Sequence, residues 1–164
     1  MNKKAYYISF LVAPLLCFLL ALITKFDIQD GVVDFSDIAV FVASIICGPF
    51  VGLTCGVGVA LSDIVTAHYS VALYSGVIAS AMGFLTGFLF DKVFAKKTIR
   101  KRKILSLLCG AGIGIALWFA SSFLLCTSID NALMMIMFRA LLCIASGLIA
   151  YFILPKEPPQ LFNE

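Results

Sequence analysis

The sequence has few charged residues and few of the side chains that usually carry out catalysis. Only 13% of its 164 residues are charged, and it has one His and one Trp. A typical soluble domain is about 25% charged and about 45–50% apolar, whereas 62% of this chain is hydrophobic. This composition excludes a secreted disulfide scaffold, a free-standing nucleic-acid-binding domain and most soluble enzymes. It predicts an integral membrane protein.

The sequence also lacks the motifs of metal, redox and nucleotide chemistry. Its six cysteines form no CxxC pair, and neither an HExxH motif nor a Walker-type GxxxxGK motif occurs. We therefore expect no catalytic residue, no metal site and no cofactor. Because the chain cannot hydrolyse ATP itself, energy for transport has to come from partner proteins or from an ion gradient.

Long uncharged runs alternate with short polar segments along the chain. Residues 5–24, 71–90 and 104–129 contain no charge, and a helix of about 20 residues spans a membrane. We expect a single membrane domain over residues 1–164, in contact with the lipid bilayer. The predicted helices cover residues 5–25, 35–47, 49–66, 71–92, 104–127 and 130–154.

The pair Gly48-Pro49 determines how many times the chain crosses the membrane. If residues 38–61 formed one helix, the seven bases between residues 92 and 103 would lie outside the cell, against the positive-inside rule. Because Pro lacks an N–H and disfavours helix at the preceding residue, we expect a turn here. The prediction is an all-α bundle of six transmembrane helices with a short second helix and both termini in the cytoplasm. A re-entrant hairpin is the alternative.

Several polar and aromatic side chains fall at the outer ends of the predicted helices. Asp63 and His68 lie around the third loop, Tyr74 follows it, Trp118 lies in the outer half of the fifth helix, and Asn131 begins the sixth. Aromatic rings with a few hydrogen-bonding groups suit a planar heterocyclic ligand. An interfacial aromatic belt and helix caps are the alternative.

Arg139 lies near the middle of the sixth predicted helix. An unpaired Arg at this depth costs at least about 2.5–3.5 kcal/mol, so it needs a carboxylate, carbonyl groups, water or a ligand anion. By depth we expect Asp63 to be its partner inside the protein. Contact with a bound ligand, extension of the side chain to the membrane surface and contact with a partner subunit are the alternatives.

Four segments resemble a known family: VDFSDI at residues 33–38, ICGPFVG at 46–52, GVG at 56–58 and LSD at 61–63. They are similar to the substrate-binding S components of energy-coupling factor (ECF) transporters, which are bacterial vitamin importers. The short second helix, the Gly-Pro turn, the Gly-rich third helix that ends in Asp and the basic fourth loop all match.

This resemblance implies a function and partners. S components are six-helix proteins of the bacterial plasma membrane that capture a vitamin or a precursor near the outer face. They then associate with a transmembrane coupling subunit and two ATPases. In the family an Ala-xxx-Ala stripe on the first helix contacts the coupling subunit, and Ala5, Ser9 and Ala13 occupy the matching positions here.

By location only, the resemblance assigns the substrate site to Tyr74, Trp118 and Asn131, with His68 and Arg139 as further candidates. The vitamin itself stays open, since pyridoxine-like, pyrimidine-precursor, pantothenate and niacin-like ligands all fit. A self-sufficient secondary transporter and a membrane-embedded enzyme are the alternative functions.

Overall fold

The computed structural model describes residues 3–28, 31–126 and 128–155. Within these residues the chain forms six helices, which confirms the predicted all-α fold. They are α1 (Lys3–Ile23), α2 (Ser36–Cys47), α3 (Pro49–Val65), α4 (Tyr69–Phe88), α5 (Ile99–Leu125) and α6 (Ile129–Ile153). A π-helical turn, Leu89–Val93, extends α4, and two short antiparallel strands, β1 (Phe26–Ile28) and β2 (Gly31–Val33), form a hairpin before α2.

Four of the helices, α1, α4, α5 and α6, are long and apolar enough to span a membrane, whereas α2 and α3 are shorter apolar helices. The helix α5 begins at Ile99 rather than at residue 104, so the last bases of the basic segment lie in its first turns. Lys and Arg are good helix formers, and their long side chains can reach the membrane surface from inside a helix.

The chain reverses direction at Gly48. Its φ of 94° and ψ of 176° belong to a region that residues with a Cβ rarely adopt, and Pro49 supplies the first residue of α3. In a continuous helix Ser44 and Gly52 would lie about 12 Å apart. Here a Cβ on Gly52 would collide with the Ser44 hydroxyl, so α2 and α3 are an antiparallel pair, as predicted.

Backbone contact between glycines holds α3 against α4. A Cβ on Gly52 would lie only 2.6 Å from the carbonyl oxygen of Gly83, and one on Gly76 would lie 3.2 Å from the carbonyl oxygen of Gly56. Small residues let membrane helices approach this closely, which is a main source of their association.

Hydrogen bonds and ion pairs identify the two ends of the bundle. At one end Lys25, which follows α1, is 2.6 Å from Asp63 near the end of α3. At the other end Lys103 in α5 donates to the Leu154 carbonyl after α6. We call these the hairpin end, which carries β1 and β2, and the basic end, which carries residues 92–103.

Candidate ligand-binding site

Arg139 lies at the centre of a buried polar cluster toward the hairpin end. Its guanidinium donates a hydrogen bond to the Val32 carbonyl, lies 3.9 Å from an oxygen of Asp34, and stacks 3.8 Å above the ring of Trp118. Only 5% of Arg139 is exposed. The structure thus joins two of the predicted site residues, Trp118 and Arg139, and connects both to the segment before α2.

The expected pairing of Arg139 with Asp63 is wrong. Asp63 instead binds Lys25 at 2.6 Å and accepts a hydrogen bond from the Ser75 hydroxyl on its other oxygen. Lys25 also donates to Thr66 at 2.7 Å. Both oxygens of Asp63 therefore have partners. Through them this carboxylate connects α3 to the chain after α1 and to α4.

His68 links the third loop to the hairpin. Its Nε2 lies 3.1 Å from a carboxylate oxygen of Asp27 in β1, and its Nδ1 lies 3.0 Å from the hydroxyl of Thr66. Its side chain is 28% exposed. The ring is therefore at the edge of the hairpin end, above the buried residues, and contacts the segment that covers them.

The two remaining predicted residues, Tyr74 and Asn131, lie on α4 and α6. Tyr74 is half-buried and packs against the core that contains Trp118. Asn131 lies in the first turn of α6, where its backbone N–H donates to the Ser128 hydroxyl at 3.2 Å. That hydroxyl caps α6, as expected if the polar residues of this segment serve as helix caps.

Sequence reasoning assigned no ligand-site role to two buried acids. Asp34 is 2% exposed and accepts the backbone N–H of Ser36 at 2.8 Å. Asp37 is 7% exposed and accepts a hydrogen bond from the Cys143 thiol at 3.3 Å. One signal could have identified them. A buried Arg requires a nearby carboxylate, and these two acids lie just before and within the start of α2.

The short α2 leaves space for this cluster. Its 12 residues cover about 18 Å of a hydrocarbon core that is roughly 30 Å thick. Arg139 lies about 15 Å along α6 from Ile129, and residues 32–34 reach down to it. The segment before α2 therefore lies against Arg139 of α6 and, through it, near Trp118 of α5, and we call this buried region the recess.

One polar atom in this recess is unused. The Nε of Arg139 is buried and has no hydrogen-bond partner among the described residues. A buried donor without an acceptor costs roughly 1–3 kcal/mol, so this position calls for an acceptor. A carbonyl or hydroxyl oxygen of a ligand meets this requirement.

The small residues of α1 lie beside a lateral groove. Ala13 is 6% exposed and packs inside the bundle, whereas Ser9 is half-buried and donates to the Tyr6 carbonyl at 2.7 Å. Both line an apolar groove of about 490 Å³ between α1 and α2. The side chain of Ala5 lies outside the described part of the chain.

The fold agrees with a comparison to known families. The family described as ECF-type riboflavin transporter, S component, matches residues 2–153, a range that contains all six helices. No curated protein matches the chain. The family consists of transporter subunits, so the expectation of a protein other than an enzyme is confirmed. The chain therefore belongs to the family of S components of ECF-type riboflavin transporters.

Proposed function

We propose that this chain captures riboflavin or a closely related flavin at the hairpin end, from outside a bacterial cell. It then delivers the flavin through a coupling subunit and two ATPases. The observation that carries the proposal is the family match over residues 2–153. Riboflavin is not among the ligands that the sequence suggested, and the family match supports a flavin instead.

The chemistry of the buried cluster suits a flavin. The isoalloxazine ring is planar and has carbonyl oxygens and an imide N–H along one edge. The free Nε of Arg139 can donate to a carbonyl, and the buried carboxylates of Asp34 and Asp37 can accept from the imide or from ribityl hydroxyls. Trp118 and Tyr74 supply aromatic surface beside these groups.

Entry of a flavin requires the hairpin to move. Trp118 is only 3% exposed, and one face of its ring is covered by the Arg139 guanidinium. That guanidinium is in turn bound to the carbonyl of Val32 in β2. In the proposed cycle the hairpin withdraws to admit the flavin and then covers it.

The groove between α1 and α2 is the proposed contact with the coupling subunit. It is almost wholly apolar and open to the side of the bundle, and it contains Ser9 and Ala13 at the positions matching the family stripe. A helix of the coupling subunit fits such a surface, since close approach requires small side chains.

Flavin fluorescence tests the binding step. Riboflavin added to the purified protein should lose fluorescence at a 1:1 stoichiometry as the ring stacks on protein aromatics. Trp118→Leu should weaken binding by roughly tenfold, the effect of losing an aromatic contact of about 1.5 kcal/mol. The adjacent Phe119, which is 51% exposed, provides the control, and Phe119→Leu should bind normally. Unquenched fluorescence, or equal effects of the two variants, would rule out this site.

Two neighbouring positions on α1 test the coupling step. Val12 lines the groove, whereas Leu11 is 77% exposed and lies outside it. Val12→Trp should abolish riboflavin uptake in cells and retention of the coupling subunit, with riboflavin binding unchanged. Leu11→Trp should preserve all three. Uptake by liposomes that contain this chain alone would instead identify a self-sufficient transporter.

A further inference from the structure

A second lateral groove lies between α5 and α6 near the basic end. It has a volume of about 350 Å³ and is lined by residues 100–111 of α5 and 144–152 of α6. Leu107 and Ala111 are buried and form its floor, while Leu108 and Leu148 stand exposed at its rims. At Gly147 a Cβ would meet no atom within 4 Å, so the groove is an actual gap between the helices.

The dimensions of this groove match one leaflet of a bilayer. From residue 100 to residue 111, α5 rises by about 16 Å, which is close to half of a hydrocarbon core of roughly 30 Å. Every residue that lines the groove is apolar except Arg100 and Tyr151 at the end nearest the basic segment. An extended acyl chain fits such a slot better than a compact polar ligand does.

The charge at the mouth of the groove indicates the headgroup. Arg100 is exposed and takes part in no ion pair within residues 3–28, 31–126 and 128–155. Lys96, Lys97 and Lys101 lie exposed within four residues of it in the chain. Basic groups at a membrane surface attract anionic lipids by roughly 1 kcal/mol each.

We propose that the α5–α6 groove is a binding site for an anionic phospholipid, whose acyl chain lies over Leu107, Ala111 and Gly147 and whose phosphate binds Arg100. The site is separate from the buried polar cluster around Arg139, which lies toward the hairpin end. It shares no lining residue with the α1–α2 groove. A bound lipid fills the gap between α5 and α6 and secures the ends of both helices.

Native mass spectrometry of the purified protein tests this site. The full chain in neutral detergent is mixed with equal amounts of dioleoyl phosphatidylglycerol and dioleoyl phosphatidylcholine, and the retained lipid is counted. The wild type should retain phosphatidylglycerol in roughly fivefold preference, the effect of one base near an anionic headgroup. Arg100→Gln should lower this ratio toward one. Equal retention of both lipids by the wild type would overturn the proposal.

Two glycines provide a matched pair of variants. Gly147→Leu fills the groove and should reduce lipid retention by roughly tenfold, since it displaces several methylene groups. Gly112→Leu adds the same side chain on α5 outside the groove and should have no effect. Because a Cβ at either glycine meets no atom within 4 Å, both variants should fold and bind riboflavin alike. Equal losses in both, or a dimer in light scattering that only Gly147→Leu dissociates, would refute a lipid as the occupant.

Discussion

Buried charges determine which residues meet at the hairpin end. Arg139 and Lys25 are both almost fully buried, and each lies beside an acid, Asp34 and Asp63 respectively. Leaving either cation unpaired in a membrane protein is expensive. The need for a partner to Arg139 could be predicted from its position in an apolar run, but the identity of that partner could not, because Lys25 turns inward and takes Asp63.

Removal of Arg139 should destabilise the protein. Arg139→Met leaves the carboxylate of Asp34 buried without its cation, and breaking a buried pair costs about 3–5 kcal/mol. Thermal unfolding in mild detergent measures the change. Lys101→Met, at an exposed position of the basic end, should shift stability by no more than about 0.5 kcal/mol.

A double-mutant cycle separates this pair from a general loss of packing. In Arg139→Met with Asp34→Asn, the stranded carboxylate is gone, so the double variant should be more stable than the sum of the two single losses predicts. A coupling of about 0.5–3 kcal/mol is expected for residues in one network. Strict additivity would show that the 3.9 Å approach of Arg139 to Asp34 contributes nothing.

Close backbone contact fixes the relative position of α3 and α4. A Cβ on Gly83 would lie 2.7 Å from the carbonyl carbon of Gly52, and backbone atoms cannot move aside as a flexible side chain can. Gly83→Ala should therefore lower the free energy of unfolding by about 1–3 kcal/mol, as overpacking does. Gly112→Ala meets open space and should raise it by up to about 1 kcal/mol through helix propensity. Denaturation of the two variants measures both free energies of unfolding. A Gly83→Ala protein as stable as the wild type would contradict this close packing of α3 against α4.

Helices and loops differed in how well the sequence predicted them. The uncharged runs predicted all six helices, and the Gly48-Pro49 turn followed from the steric limits of proline. The hairpin of β1 and β2 gave no such signal, since three-residue strands are too short for an alternating pattern. Its position depends on tertiary contacts of Val32 and Asp34 with Arg139, which no local pattern contains.

The molecule as a whole separates its charges between two ends. Exposed bases collect in residues 92–101. Three acids lie toward the hairpin end, each beside a basic side chain: Asp27 beside His68, Asp34 beside Arg139 and Asp63 beside Lys25. By the positive-inside rule we expect the basic end to face the cytoplasm. In that orientation the recess around Arg139 would face outward, as the proposed capture of a flavin requires.

Cysteine labelling in whole cells tests this orientation and the reversal at Gly48 together. Phe26 is 58% exposed in β1 at the hairpin end, and Thr98 is exposed just before α5 at the basic end. A membrane-impermeant maleimide should label Phe26→Cys in intact cells but Thr98→Cys only after permeabilisation, with the wild type and its six native cysteines as the baseline. The opposite pattern would show that the protein has the reverse orientation, with the recess around Arg139 on the cytoplasmic side. Labelling of both positions from the same side would mean that the chain crosses the membrane an even number of times between Phe26 and Thr98, and not the three times that α2, α3 and α4 provide.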